Sequence, residues 1–342
     1  MSILQKDISL KQLNTFGVDV HASYFAEFQT EKELYSVISQ CEFFTEKNTL
    51  PLLMLGSGSN ILFTRDYPGV VLKNEIAGIN LVHEDDQYVY VEAGAGVGWH
   101  DFVLFCVENN FGGVENLSLI PGTVGAAPIQ NIGAYGVELK DSMHSLKCLD
   151  VKEKQWLVFS NKDCDFGYRS SVFKTKLKGK VVISSVTFRL TKKHQLHLEY
   201  GAIQTQLNLQ DISEPTIKDV SDAVMAIRRS KLPDPQIIGN AGSFFKNPVV
   251  SEAEFFQIKK DHSGVVANAF EGGYKLAAGW LIETAGWKGY REGNVGCYDK
   301  QALVLVNYGG ASGLEILNLA QKIIQSVSEI FGIELVSEVN IV

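Results

Sequence analysis

The sequence predicts a globular α+β protein, and three observations carry that reading. Of its 342 residues 45% are hydrophobic and 20% charged, the composition of a chain that buries a core, and a prior of about 150 residues per domain gives two or three domains. Strand-like apolar runs and Ser/Thr-x-x-Glu helix starts follow one another along the chain without an internal repeat. The 31 glycines, about 9% of the chain where about 7% is usual, follow no G-X-Y period and belong to local turns and backbone-exposing loops.

In order, Thr30 to Glu33 form a capping box, with Leu34, Val37, Ile38 and Cys41 following at helical spacing. Leu52 to Leu55, Ile61 to Phe63 and Val70 to Leu72 read as short strands around a Gly/Ser turn. From 76 to about 195 the pattern is mixed: Tyr88 to Ala93 and Lys180 to Leu190 are strand-like, and a helix spans Trp99 to Glu108. A helix from Ser221 to Arg229 is stopped by Lys231-Leu232-Pro233-Asp234-Pro235, because proline disfavours helix at the preceding residue. Ser251 to Glu254 and Ser312 to Glu315 start two further helices, the second ending at Gly332. The run Ile333 to Val342 is predicted as a strand with Ile333, Leu335, Val339 and Ile341 on one face and Glu334, Val336, Glu338 and Asn340 on the other.

The formal charge of −8 argues against nucleic acid or an anionic membrane as partner, since phosphate neutralisation needs a basic surface. It leaves room for a small anion held by a few placed cations. The five cysteines, Cys41, Cys106, Cys148, Cys164 and Cys297, are widely spaced and contain no C-x-x-C pair, as expected of a reduced protein without structural zinc. The start lacks a basic segment followed by an apolar one, and no apolar run approaches the roughly 18 residues of a membrane span. A soluble, cytoplasmic protein is expected.

Gly56-Ser57-Gly58-Ser59-Asn60 follows an apolar strand, where a glycine turn can aim successive N–H groups at a phosphate. It is not a Rossmann turn. The sixth position is Ile61, and a strand rather than a helix follows. Gly94 to Gly98 also has the wrong spacing, with Trp99 in place of the last glycine. The segment Pro121 to Gly136 is mostly small residues without helical or strand periodicity. Such a segment either lets a flat ligand lie against backbone or marks a close crossing of two elements.

Asn14-Thr15-Phe16-Gly17, the Gly56 to Asn60 turn, Ile120-Pro121-Gly122-Thr123-Val124-Gly125, Gln130-Asn131-Ile132-Gly133-Ala134-Tyr135-Gly136, Phe166-Gly167-Tyr168-Arg169 and Gly239 to Pro248 occur in one order. In these motifs and that order, across nearly its whole length, the chain resembles the UDP-N-acetylenolpyruvoylglucosamine reductase family of peptidoglycan precursor synthesis. The resemblance implies an FAD-binding fold of the vanillyl-alcohol-oxidase type, two α+β subdomains at 1–75 and 76–230, and a C-terminal α+β substrate-binding domain at 231–332. Residues 333–342 are expected to return to the first. Gly56, Ser57, Gly58, Ser59, Asn60 and Ile61, with Pro121, Gly122, Thr123, Gly125, Ala126, Gln130, Asn131, Gly133, Ala134, Tyr135 and Gly136, are the expected FAD contacts. The first turn has no His or Cys, so FAD is expected to be non-covalent.

By the same resemblance NADPH reduces FAD, hydride reaches C3 of UDP-N-acetylglucosamine enolpyruvate, and a proton reaches C2 to give UDP-N-acetylmuramate. Arg169 is expected on the substrate carboxylate, Ser243 as the proton donor, and Glu338 either protonated or placed to polarise the carboxyl group through Arg or water. Lys231, Asn247 and Tyr200 are expected at the UDP diphosphate, with Lys246 a nearby cation. The family's longer subclass carries a loop tyrosine before Lys275-Leu276-Ala277-Ala278-Gly279-Trp280, and here Phe270 or Tyr274 stands in that region. The protein is expected to act as a monomer, without a metal. The competing readings are a related FAD oxidoreductase for another alcohol or sugar, which has no use for a C2 proton donor, and a UDP-sugar binding module, which leaves the glycine loops unexplained.

Overall fold

The computed structural model describes residues 4–48 and 50–342. The first three residues of the start discussed above, and Thr49, lie outside the described residues. The chain divides into two compact units, one mainly of Ala22–Ser57 and Tyr67–Arg229, the other mainly of Ser9–His21, Gly58–Asp66 and Ser230–Val342.

In the first unit, helix Glu31–Asn48 starts where expected: Thr30 Oγ1 accepts from Glu33 N–H at 3.1 Å, although Glu33 reaches back to Gln29 N–H rather than to Thr30. Its predicted face, Leu34, Val37, Ile38 and Cys41, is buried together with Ala26, Phe28, Val70 and Leu72. These belong to strands His21–Phe28 and Tyr67–Asn74, which pair in parallel in a four-stranded sheet with Leu52–Leu55 and Gln5–Ser9. A five-stranded sheet runs Trp156–Ser160, Met143–Asp150, Val181–Thr191, Tyr88–Gly94, Ile79–Glu84, with antiparallel pairing throughout. Helix Trp99–Glu108 has the predicted limits and buries Trp99, Phe102, Val103 and Cys106. Trp99 is 1% exposed, and its Nε1–H donates to Leu117 O at 2.9 Å, so its one polar group is satisfied inside the core.

The helix expected at Ser221 to Arg229 runs Ile217–Lys231. Its earlier start comes from Thr216, whose N–H and hydroxyl both bond Asp219, a Thr-x-x-Asp cap that the sequence reading passed over.

In the second unit, an antiparallel sheet orders Gly239–Ser243, Val304–Asn307, Val295–Cys297 and Arg291–Glu292, and a smaller one orders Val249–Ser251, Gly273–Leu276 and Ala267–Phe270. Both predicted Ser-x-x-Glu caps form reciprocal capping boxes, at Ser251/Glu254 and Ser312/Glu315. Helix Gly313–Phe331 buries Ile316, Leu319, Ala320, Ile323 and Val327, and ends on Gly332 at φ 68°, a left-handed cap that glycine adopts without strain.

A Cβ on Gly313 would collide with the backbone carbonyl of Phe63. Gly→Ala within a helix ordinarily gains about 0.5–1 kcal/mol. Here the clash with a backbone atom reverses the sign, and Gly313→Ala is expected to destabilise by about 1–3 kcal/mol in denaturant unfolding.

The final run differs from the prediction of a continuous strand. Only Asn340–Ile341 is strand, paired in parallel with Ile61–Leu62. Upstream, Ser337 bridges Phe245, flanked by Lys246 N–H to Val336 O (2.9 Å) and Glu338 N–H to Phe244 O (2.8 Å). The chain thus makes one short ladder on residues 244–246 and then changes partner, which interrupts the alternation. Ile333, Leu335 and Val339 are buried as expected, whereas Ile341 is 43% exposed.

All five cysteines are free thiols and buried. Burial pushes the thiol pKa of Cys148, Cys164 and Cys297 to about 12 and that of Cys41 to about 11. No helix among the described residues is long and apolar enough to cross a membrane.

Candidate active site

In the first unit the glycine segments Gly94 to Gly98 and Pro121 to Gly136 separate by role. Gly94 to Gly98 is a packing crossing: Val124 N–H donates to Val97 O, Gly125 N–H to Ala95 O and Trp99 N–H to Gly122 O, each within 3.0 Å. A Cβ on Gly94 or Gly96 would run into the backbone of residues 75–77. This ladder shapes the turn Pro121-Gly122-Thr123, in which Gly122 takes φ 133° and Pro121 is exposed. Among the described residues nothing accepts from the N–H groups of Gly122 and Thr123. Gly56 meets the same turn, since a Cβ there would sit 2.7 Å from Thr123 Oγ1. Glycine is thus required where the two loops converge.

Downstream, Ala126 is exposed, Ala127–Gln130 makes a short 3-10 turn, and the two-residue strand Gly133–Ala134 turns back on Val137–Glu138. Gly136 has φ 84° and open space where a side chain would be. Asn131, fully buried at φ 46°, spends its side chain on the protein: Nδ2 donates to Glu138 Oε2 and Gly167 O, and Oδ1 accepts from Lys140 N–H, at 3.0–3.1 Å. Gln130 Oε1 accepts from Lys174 Nζ at 3.2 Å. Asn131 and Gln130 therefore hold the loop in shape.

Arg169 is brought to this loop. Its Nη2 donates to Gly133 O at 2.6 Å, its guanidinium lies 5.3 Å from the Tyr168 ring, and its backbone is at φ 51°. Leu119 (φ 58°), Asn131, Tyr135 (φ 50°) and Arg169 are all non-glycine residues in the left-handed region. Each such residue costs of order 1–3 kcal/mol, and strain of this kind concentrates at working sites.

Sequence reasoning missed Arg228, His100 and Asn116. Arg228 Nε donates to Leu119 O at 3.1 Å, and its guanidinium bonds the Tyr135 hydroxyl. Among the described residues no carboxylate pairs with it. Burial pulls its pKa below the ordinary value, with the Tyr135 contacts opposing that shift. His100 Nδ1 accepts from Leu119 N–H at 3.0 Å, and burial, the largest cause, lowers its pKa. Arg228 carried a faint signal: it lies four residues after Val224 on an amphipathic helix, where the buried stripe continues. Tyr200, 54% exposed, stands just before helix Gly201–Asn208 with its ring 5.3 Å from that of Tyr135, edge to face.

In the second unit, Gly58 lies at φ 66° with Leu13 backbone where a Cβ would go, and the N–H groups of Gly58 and Ser59 likewise find no acceptor among the described residues. Asn60 Nδ2 donates to Glu338 O at 3.5 Å, and Ile61 pairs with Asn340. Ser243 ends strand Gly239–Ser243 beyond an irregularity in its pairing. Among the described residues its hydroxyl has no hydrogen-bond partner, and the next residue, Phe244, accepts from Glu338 N–H. The fold thereby brings Ser243 and Glu338, distant in sequence, to neighbouring positions.

The diphosphate candidates are more scattered. Lys231 is exposed at the end of its helix, Lys246 is half-buried, and Asn247 Oδ1 accepts from Ala278 N–H at 3.0 Å, supporting the start of helix Ala278–Thr284. The region expected as a loop is a tight hairpin turning at Glu271 (φ 38°) and Gly272 (φ 78°). Tyr274 is committed to a stack on Phe255, centroids 3.9 Å apart, while Phe270 lies under Lys275 Nζ at 4.5 Å.

Backbone N–H groups without protein acceptors, in glycine turns with positive φ, suit phosphate or flavin carbonyl oxygens. The residues present therefore fit a flavin dinucleotide.

Residues 22–156 match the family described as FAD binding domain, and residues 234–342 match that of the UDP-N-acetylenolpyruvoylglucosamine reductase C-terminal domain. The UDP-N-acetylenolpyruvoylglucosamine reductase of Pseudomonas syringae pv. syringae is 50% identical over 339 residues, covering 99% of this chain and 98% of its own. That of Flavobacterium johnsoniae is 46% identical over 341 residues, covering 99% of each. The crystal structure of the Thermus caldophilus enzyme covers 99% of both chains with a TM-score of 0.65 at 22% identity, a likeness of fold.

Proposed function

The chain belongs to the UDP-N-acetylenolpyruvoylglucosamine reductase family, and on that premise we propose how its residues divide the reaction. It is an FAD-dependent oxidoreductase that reduces UDP-N-acetylglucosamine enolpyruvate with NADPH, forming UDP-N-acetylmuramate. Bound FAD supplies the hydride transfer, from NADPH to C3 of the enolpyruvyl ether.

The glycine turns at Gly56 to Ile61 and Pro121 to Gly136 hold that cofactor through backbone donors, with Asn131 and Gln130 keeping the second turn in shape. Hydride arrival at C3 leaves negative charge on C2 and the adjacent carboxylate, and Arg169 stabilises it with a permanent charge that forks onto the carboxylate. Ser243 delivers the proton to C2. Glu338 lies beside Ser243 and polarises the carboxyl group through Arg169 or water. Lys231, Asn247, Lys246 and Tyr200 hold the UDP diphosphate, and Phe270 stands in the family's loop-tyrosine region, able to stack but not to hydrogen-bond a phosphate. The observation that carries this reading is Ser243, its hydroxyl without a partner among the described residues, next to the residue that accepts from Glu338 N–H. Buried free thiols support a reducing, cytoplasmic setting, where the protein acts as a monomer in cell-wall precursor synthesis.

The test is NADPH oxidation by the purified yellow protein. Oxidation is expected to depend on UDP-N-acetylglucosamine enolpyruvate, and acid precipitation to leave the flavin in the supernatant. Oxidation driven equally by another alcohol or sugar, or a flavin retained in the pellet, overturns the reading.

A further inference from the structure

Asn116 lies just before the Pro121 turn and is 1% exposed. Its side-chain amide spends both protons on backbone carbonyls far apart in sequence, Tyr135 O at 3.0 Å and His197 O at 2.9 Å. Its Oδ1 is buried and, among the described residues, without a partner. Burying an amide is costly, and its two hydrogen bonds offset that cost while joining two chain segments. The two carbonyls belong to the chain segments that carry Tyr135 and Tyr200. His197 sits in the stretch 194–199, which has no regular structure and runs directly into Tyr200. Leu196 and Leu198 of that stretch pack with Tyr135 against the helix pair Gly201–Asn208 and Ile217–Lys231.

The rings complete the arrangement. Tyr135 is fixed by its left-handed backbone, by Arg228 on its hydroxyl and by Asn116 on its carbonyl. Tyr200 then lies edge-on against it at 5.3 Å, with much of its surface open. We infer that Asn116 is a positioning residue that ties the Tyr200 segment to the Tyr135 loop, so that Tyr200 is pre-organised for the UDP-sugar before it binds. This rests on the reading of Tyr200 as a substrate contact. The gain is entropic: an exposed tyrosine on an irregular stretch loses rotamer and backbone freedom on binding, and the tether removes part of that loss beforehand.

The test is a double-mutant cycle on the flavin-loaded enzyme. The Kd of UDP-N-acetylglucosamine enolpyruvate is read from perturbation of the flavin spectrum, with flavin content and Tm measured alongside. Asn116→Asp keeps the volume but removes both donors. It is expected to weaken binding about tenfold with flavin content unchanged, and the pair Asn116→Asp/Tyr200→Ala to bind no more weakly than Tyr200→Ala alone.

A Kd unchanged in Asn116→Asp, or a loss that adds in full to that of Tyr200→Ala, overturns the tether while leaving Tyr200 as a substrate contact. A Tyr200→Ala enzyme that binds normally overturns the reading of Tyr200 itself. Should Asn116→Asp not fold, Asn116→Ser, a smaller change that cannot donate to both carbonyls, takes its place in the cycle; the same non-additivity is expected, and additivity overturns the tether.

Discussion

Ser243→Ala is expected to leave the flavin fully reducible by NADPH while slowing turnover of the reduced enzyme with UDP-N-acetylglucosamine enolpyruvate by about 10²–10⁴-fold, the usual contribution of a placed general acid. The two half-reactions separate in anaerobic stopped-flow mixing, the first read as bleaching and the second as return of the visible flavin band. The selectivity follows from where the hydroxyl stands. It lies at the end of strand Gly239–Ser243 with no protein partner to restore, so its removal leaves no buried donor or acceptor unpaired among the described residues. The cost therefore falls on chemistry rather than on folding. A serine is a weak acid, but the charge at C2 is a strong base, and a proton held within hydrogen-bond reach suffices. Equal slowing of both half-reactions removes Ser243 from the proton path.

Arg169→Lys is expected to lower kcat by about 10²–10³-fold, with bleaching by NADPH unaffected, because the lost interaction matters most when charge develops on the carboxylate. Charge is kept in this variant, so the loss reports geometry. A guanidinium can hold Gly133 O and still present further N–H groups in one plane, whereas an ammonium is a point charge on a flexible stem. The backbone at φ 51° is unchanged by the substitution, which separates side-chain chemistry from backbone strain. Retention of more than about a tenth of the parent kcat is too small a loss for a transition-state contact of this kind and refutes the assignment.

Local signals were read well where local physics decides, the Thr216 cap excepted. The capping boxes at Ser251 and Ser312, the Gly332 cap and the limits of Trp99–Glu108 each depend on residues within one or two turns, and all are present. The other failures have a common cause in long-range pairing. Ile333 to Val342 alternates like a strand, but whether it is one depends on residues 244–246 and 61–62, which offer only short ladders in succession. The region before Lys275 gave no sign of a hairpin that packs Tyr274 onto Phe255. Gly94 to Gly98 and Pro121 to Gly136 look alike as glycine-rich text. They part only in the fold: Val124 and Gly125 of the second donate to Val97 and Ala95 of the first, whereas the N–H groups of Gly122 and Thr123 find no acceptor among the described residues.

The sequence by itself determined the α+β class and the family, since motif order and residue chemistry are properties of the chain. Only the tertiary structure decided which of those residues meet. It set Glu338 beside Ser243 through Phe244, Arg169 on Gly133, and Asn116 between Tyr135 and His197. The reason is physical: these contacts join residues far apart along the chain. A hydrogen bond between such residues forms only after the core has met the entropy of bringing them together.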